Sequence, residues 1–195
     1  VIARKSILCG CAFLALSTLG AVMAQDPQPR RQPDVPYVPT TPEAVEAMLK
    51  LAGVTKSDVV YDLGCGDGRI VIAAAKNYGA RGVGIDINPV RIREAKENAK
   101  KAGVEHLVRF EENDLFQADF HEATVVTLFL LPEVNLKLRP RLLAQLKPGS
   151  RIVSNTFDMG DWKPDKEATV GNADDEDSYL SHRLYLWIVP PRSKK

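Results

Sequence analysis

Between Val59 and Ile70 the chain reads Val-Val-Tyr-Asp-Leu-Gly-Cys-Gly-Asp-Gly-Arg-Ile, and no other stretch restricts the possible folds so tightly. An apolar run with an acid near its end passes into three glycines at alternate positions, Gly64, Gly66 and Gly68. Ile70, Val71, Ala73, Ala74 and Ala75 then recur with helical spacing. Strand, tight glycine turn and helix together open the βαβ unit of a nucleotide-binding α/β sheet. Glycine admits positive φ and lets a ligand lie directly on the backbone. The helix N-terminus beyond it offers free N–H groups.

The glycine spacing narrows the ligand. A dinucleotide site asks for G-x-G-x-x-G, so that pyrophosphate rests on the helix N-terminus. Here the third glycine comes one residue early and Arg69 stands in its place. The phosphate loop G-x-x-x-x-G-K-[ST] does not fit either. Asp62 and Asp67 would repel a pyrophosphate and suit a ligand with a positive end. The run D-L-G-C-G-D-G-R resembles the first motif of class I S-adenosylmethionine-dependent methyltransferases. That resemblance implies a loop passing under the methionine part of the cofactor, with Asp62, Gly64 and Gly66 among its cofactor-binding residues.

A second acid follows at the expected distance. Gly82-Val83-Gly84-Ile85-Asp86 reads as the next strand, and Asp86 lies about twenty residues beyond the glycine loop, where a carboxylate accepts both ribose hydroxyls. Asp86 is equally suited to capping the helix that starts near Pro89. Val108 to Glu111 reads as a third strand, with Asp114 in the turn after it. The resemblance implies that Asp114 accepts from the adenine amino group, with Leu115 beside the ring.

The other elements fall into the order of that fold. Thr40 or Thr41 caps a first helix with Pro42 and Glu43 in its first turn, and Gly53 ends it. Ala123 to Leu130 is a continuous apolar run, expected as a central parallel strand buried on both faces. The following helix, from Leu131-Pro132-Glu133 to about Leu146, carries Pro140 and is expected to kink or break there. Arg151 to Asn155 is a fifth strand. Arg183 to Val189 is the last, paired with Ala168 to Gly171 across an acidic hairpin tip, Asp174 to Asp177. The resemblance covers about residues 41–190. It implies a doubly wound, Rossmann-like, seven-stranded and mostly parallel sheet with a C-terminal antiparallel hairpin. One departure is the lack of a clear helix after the fifth strand, where the Trp162 loop is the expected cover.

Around this domain, 37–195, composition adds a frame. Arg4-Lys5 precede an uncharged run from Ser6 to Met23, and Val22-Met23-Ala24 offers a small-x-small cleavage site. Residues 1–24 are expected to be a signal peptide, with an uncleaved membrane anchor through residues 6–23 as the alternative. The matching locations are export to the periplasm, or an inner-membrane anchor carrying a cytoplasmic domain. Residues 25–36, rich in proline, are expected to be an extended linker. Without Arg4 and Lys5 the chain holds 24 basic against 25 acidic residues, so no basic footprint for nucleic acid is expected. Cys9 and Cys11 fall in the N-terminal run. Cys65 is therefore alone in the domain, expected as a small loop residue or, less simply, a nucleophile.

A closer resemblance joins Pro36-Tyr37-Val38-Pro39-Thr40, the glycine loop and Gly84-Ile85-Asp86-Ile87-Asn88-Pro89. These are similar to the small methyltransferases related to the mitochondrial lysine methyltransferases of the ATP synthase c-ring protein and adenine nucleotide translocase. The resemblance implies S-adenosyl-L-methionine as cofactor and a protein lysine as acceptor. No metal constellation is expected and no catalytic residue is singled out. Tyr37, Thr127, Glu133 and Trp162 are the candidate groups on the acceptor side. Tyr37 is either a staple for the first helix or part of a lid. Two other readings stay open: a binding module that kept the fold without turnover, and a nicotinamide oxidoreductase, which the glycine spacing disfavours.

Overall fold

A computed structural model describes residues 31–171 and 182–192 of the protein. The expected signal or anchor segment, the first part of the linker, Cys9, Cys11 and the acidic tip lie outside the described residues. The elements run α1 (Pro42–Leu51), β1 (Val59–Leu63), α2 (Arg69–Tyr78), β2 (Arg81–Asp86), α3 (Pro89–Ala102), β3 (Val108–Glu112), β4 (Val125–Leu128), α4 (Pro132–Gln145), β5 (Arg151–Asn155), β6 (Lys166–Val170) and β7 (His182–Ile188). Seven strands form one sheet in the order β3-β2-β1-β4-β5-β7-β6. The first five are parallel, and β7 enters antiparallel between β5 and β6. The chain reverses direction at β1, the first strand, with β2 on one side and β4 on the other.

Alternation along the strands divides the core in two. Val60, Val125, Val153 and Leu184 face one side and meet α1, α2 and α3. Tyr61, Val126, Ile152 and Trp187 face the other and meet α4. Among the described residues the second side has one helix, and loops complete it. Asn135 of α4 donates through Nδ2 to the Phe157 and Asp158 carbonyls, each at 3.2 Å. Trp187 Nε1 donates to the Trp162 carbonyl at 2.7 Å, and the two indoles stand 6.0 Å apart. The Trp162 loop is thus the cover expected where a helix is missing. Trp162 itself is spent on the sheet and does not line the cavity described below.

Local chemistry explains most element ends. Thr41 Oγ1 accepts from the Ala44 N–H at 3.2 Å, which makes Thr41 the cap of α1. Asn88 caps α3 in the same way through Val90 N–H, at 2.9 Å. Pro140 corrects an expectation: α4 runs through it without a break. Proline removes the bond to the carbonyl four residues earlier. That carbonyl belongs to Leu136, on the exposed side of the helix, where water can satisfy it. At the N-terminal edge of the sheet, Asp58 accepts from Thr55 N–H at 2.8 Å, Thr124 Oγ1 at 2.7 Å and the Arg151 guanidinium. Burial alone would raise its pKa, but these partners together hold it below the usual carboxylate range.

Gly84 is the tightest point under the glycine turn. It pairs with Asp62 on one side and Phe110 on the other. A Cβ built there would lie 2.6 Å from Phe110 Cδ1 and 2.8 Å from Cys65 Sγ. Gly84→Ala is therefore expected to lower unfolding free energy by about 1–3 kcal/mol through overpacking. Urea denaturation of variant and parent measures the difference. A variant as stable as the parent would mean that Phe110 and Cys65 yield freely.

Candidate active site

The C-terminal ends of β1, β2 and β4 open on a cavity of about 440 Å³. The glycine turn, Asp86 at the end of β2, Phe129 and Leu130 after β4, and the strap of residues 31–40 form its walls. The switch in strand order at β1 creates this crevice, which is where open α/β sheets place their ligands.

Backbone bonds fix the turn. Gly64 and Cys65 both donate to the Ile85 carbonyl, at 2.8 and 2.9 Å. Gly66 N–H donates to Asp86 Oδ2 at 2.9 Å, while Asp86 Oδ1 takes the Asn88 N–H at 2.9 Å. Gly66 has φ of 51°, and a Cβ there would lie 2.4 Å from the Tyr37 ring. Glycine is required on both counts: the backbone is left-handed and an aromatic ring presses on it. Asn98 of α3 donates to the Asp67 carbonyl at 3.1 Å. Arg69 grips the Asp67 carboxylate through Nε at 2.9 Å and Nη2 at 2.7 Å, and its Nη1 reaches the Thr40 carbonyl at 2.7 Å. Arg69 thus clips the strap to the turn, which explains why a large cation stands one residue past the glycines.

Three acids gather here and differ in state. The Asp67 carboxyl is raised by burial, but the Arg69 fork outweighs that and holds it low. It is neutralised and does not act as a free negative group. Asp86 lies higher than an ordinary carboxylate because burial outweighs its two N–H donors. Asp62 is fully buried on β1 and pushed up to about 7, by burial first and then by the charges of Asp86 and Asp67. Thr127 Oγ1 donates to Asp62 at 2.8 Å. Burial thus makes Asp62 and Asp86 costly to ionise, and a ligand with a positive end would relieve that cost. That fits a sulfonium or ammonium group and disfavours a pyrophosphate.

The candidates from sequence are distributed as follows. Asp62, Gly64, Gly66 and Asp86 come together in the cavity wall. Asp114 stands apart: its carboxylate is held by Arg31 Nε at 3.1 Å and by the Phe116 N–H at 2.9 Å, while Asn113 and Leu115 on either side reach the cavity. Tyr37 lies across Gly66 with the Arg91 guanidinium 4.5 Å over its ring, so it belongs to a strap and is no staple buried on α1. Residues 31–36, expected as a free linker, line the cavity and are tied down through Arg31 to Asp34 and Asp114. Thr127 is fully buried and serves Asp62, which removes it from the acceptor side. Glu133 is exposed at the start of α4. Burial, and then Asp62 and Asp86, push the Cys65 thiol far up, so it is no nucleophile. Among the described residues no cluster of His, Cys, Asp and Glu could hold a metal ion.

Similarity to known proteins agrees with this geometry. Residues 62–166 match the family model of the ANTKMT methyltransferase domain. A protein-lysine N-methyltransferase of Saccharolobus islandicus is 46% identical over 158 residues, which span 80% of this chain and 95% of that protein. The adenine nucleotide translocase lysine N-methyltransferase of Mus musculus is 36% identical over 165 residues, 83% of this chain and 70% of its own length. A crystal structure of an RNA methyltransferase from Salinibacter ruber in complex with S-adenosyl-L-homocysteine superimposes with a TM-score of 0.73 at 52% identity, covering 81% of this chain and 97% of that one.

The raised Asp62 pKa has a measurable consequence. Between about pH 4 and 7 the unfolded carboxyl ionises freely while the folded one keeps its proton. Folded stability due to this group is therefore full below pH 4 and falls as pH rises toward 7, by up to about 4 kcal/mol. Asp62→Asn removes that dependence. Urea denaturation at pH 4.5 and 7.5 is expected to show a smaller loss of stability on raising pH in the variant than in the parent. Equal losses would mean that Asp62 is an ordinary ionised acid.

Proposed function

We propose, from the premise that this chain belongs to the ANTKMT methyltransferase family, that it methylates lysine side chains of proteins. That it is an S-adenosylmethionine-dependent methyltransferase follows from the family match and the fold. The lysine acceptor is the further step. It is carried by the 46% identity to a protein-lysine N-methyltransferase matched over nearly its whole length.

The residues present fit the cofactor. Asp86 retains lone pairs beyond its two N–H donors and can accept ribose hydroxyls. Gly64 and Gly66 offer bare backbone to the cavity, and Asp62 with Asp86 supplies the negative surroundings that a cationic end requires. Asp114 serves an adenine amino group only if it shares or leaves Arg31. When bound, the cofactor supplies an electrophilic methyl group on a positively charged sulfur. The protein's task is then to position an uncharged nitrogen in line, and positioning of this kind lowers barriers by several kcal/mol. The strap narrows the cavity over Gly66, and Tyr37 stands at its rim, 45% exposed, where an incoming side chain would pass.

The RNA methyltransferase from Salinibacter ruber makes RNA the reading to test against. The near-balanced charge of this chain favours protein over a polyanion. The full chain, given S-adenosylmethionine labelled on the methyl carbon together with extract protein and total RNA, is expected to label protein. Acid hydrolysis should return the label as Nε-methyllysine. Label in RNA alone, or in an amino acid other than lysine, would contradict the proposal.

A further inference from the structure

On the α1 face of the sheet, one step beyond the cavity, lies a buried His–Asn pair. His182, the first residue of β7, is 7% exposed, and Asn155, the last of β5, is fully buried. His182 Nδ1 and Asn155 Oδ1 are 3.0 Å apart, and Thr156 Oγ1 donates to the same oxygen at 3.1 Å. With Nδ1–H donating to that oxygen, Nε2 carries the lone pair. Nε2 is buried and has no hydrogen-bond partner among the described residues, and neither has Asn155 Nδ2. Buried polar atoms are almost always paired, so two orphans in one bonded pair ask for an explanation.

Two neighbours connect the pair to the site. Phe129 lines the cavity, and its ring meets that of His182 edge-on with centroids 6.2 Å apart. Thr156, next to Asn155, has φ of 68°, the one positive value at a non-glycine among the described residues. Backbone held in this region gathers at functional sites. Phe129 follows β4 and Thr156 follows β5, both on the side of the sheet where the cavity opens.

We propose that His182 takes the proton from the acceptor amine, that Asn155 fixes its tautomer, and that the amine reaches it when the Phe129 ring turns aside. The inference rests on the lysine reading. A lysine nitrogen enters as an ammonium with no lone pair to offer. One ammonium N–H bond breaks, the proton passes to His182 Nε2, and the nitrogen keeps the electron pair as an uncharged amine. The imidazolium releases its proton to water once the acceptor leaves. Burial holds the His182 pKa below its ordinary value, so the imidazole is neutral near pH 7. Desolvation lowers the ammonium pKa as well, and the transfer becomes easier only by the amount that it falls further than the imidazole's. Asp62, whose carboxyl already accepts from Thr127, is the rival acceptor that the His182→Gln variant tests. Around His182, β7 and β6 bring Arg183 and Glu167, paired with each other at 3.0 Å. From α1 comes exposed Glu43, and from β1, further along the same face, Asp62.

The test uses the full chain and a lysine acceptor. His182→Gln keeps a polar partner for Asn155 but cannot carry the proton, and kcat is expected to fall about 100-fold or more. Binding of S-adenosylhomocysteine, read by calorimetry, should change less than threefold, which also shows that the variant folds. Asn155→Asp places a carboxylate on Nδ1 and raises the imidazole pKa. The His182 titration followed by NMR and the acidic limb of kcat/KM against pH should then move to higher pH together. A limb that stays while the NMR titration moves, or a His182→Gln enzyme within threefold of the parent, overturns the proposal. If the parent methylates no lysine at all, the lysine reading fails first and separately.

Discussion

The hydrogen bond from Gly66 N–H to Asp86 holds the site together. It joins the turn after β1 to the end of β2, and both contributing strands must be in parallel register for it to form. Much else is arranged to permit it. Gly84 is bare so that Cys65 and Phe110 can close over β2. Gly66 takes a left-handed φ so that its N–H points across the crevice. Asn98 and Arg69 hold the far side of the turn through Asp67. The cost is one of desolvation: Asp86 and Asp62 are buried where their charged forms are disfavoured. A site that carries this cost binds a cationic ligand with part of the desolvation already done.

The glycine turn and its neighbouring acid were legible because their signals are local. Gly64, Gly66 and Asp86 lie within a few residues of turn and strand ends that hydrophobic patterning locates, and one βαβ unit brings them together. The succession of strands and helices along the chain was legible from patterning, whereas the seven-stranded sheet was implied by the family resemblance. Roles that depend on long-range pairing were not. Thr127 looked like an acceptor-side group from its place on β4, but the register of β4 against β1 sets it beside Asp62. Asp114 stands at the right turn, yet its state is set by Arg31, 83 residues earlier. Residues 31–36 read as linker from their prolines, and only the cavity beneath explains why they are held.

The acceptor half shows the limit more sharply. Asn155 and His182 are 27 residues apart, on strands joined through β6, and neither belongs to a sequence pattern with a chemical meaning. Their meeting depends on β7 inserting antiparallel between β5 and β6, which places His182 at the C-terminal edge of the parallel strands. The two halves thus differ in kind. One binds through a backbone turn that a short motif specifies. The other, as proposed above, is assembled by topology, from two side chains that each keep one buried polar atom unpaired among the described residues.

The central claim is that Asp86 and the glycine turn form the cofactor site, and calorimetric titration with S-adenosylmethionine tests it most directly. The full chain and its Asp86→Ala variant are titrated side by side at pH 7.5. Micromolar binding by the parent, weakened at least tenfold in a variant that still unfolds cooperatively, is the result this account predicts. Equal affinity in the two proteins would contradict it and place the cofactor away from the crevice at β1.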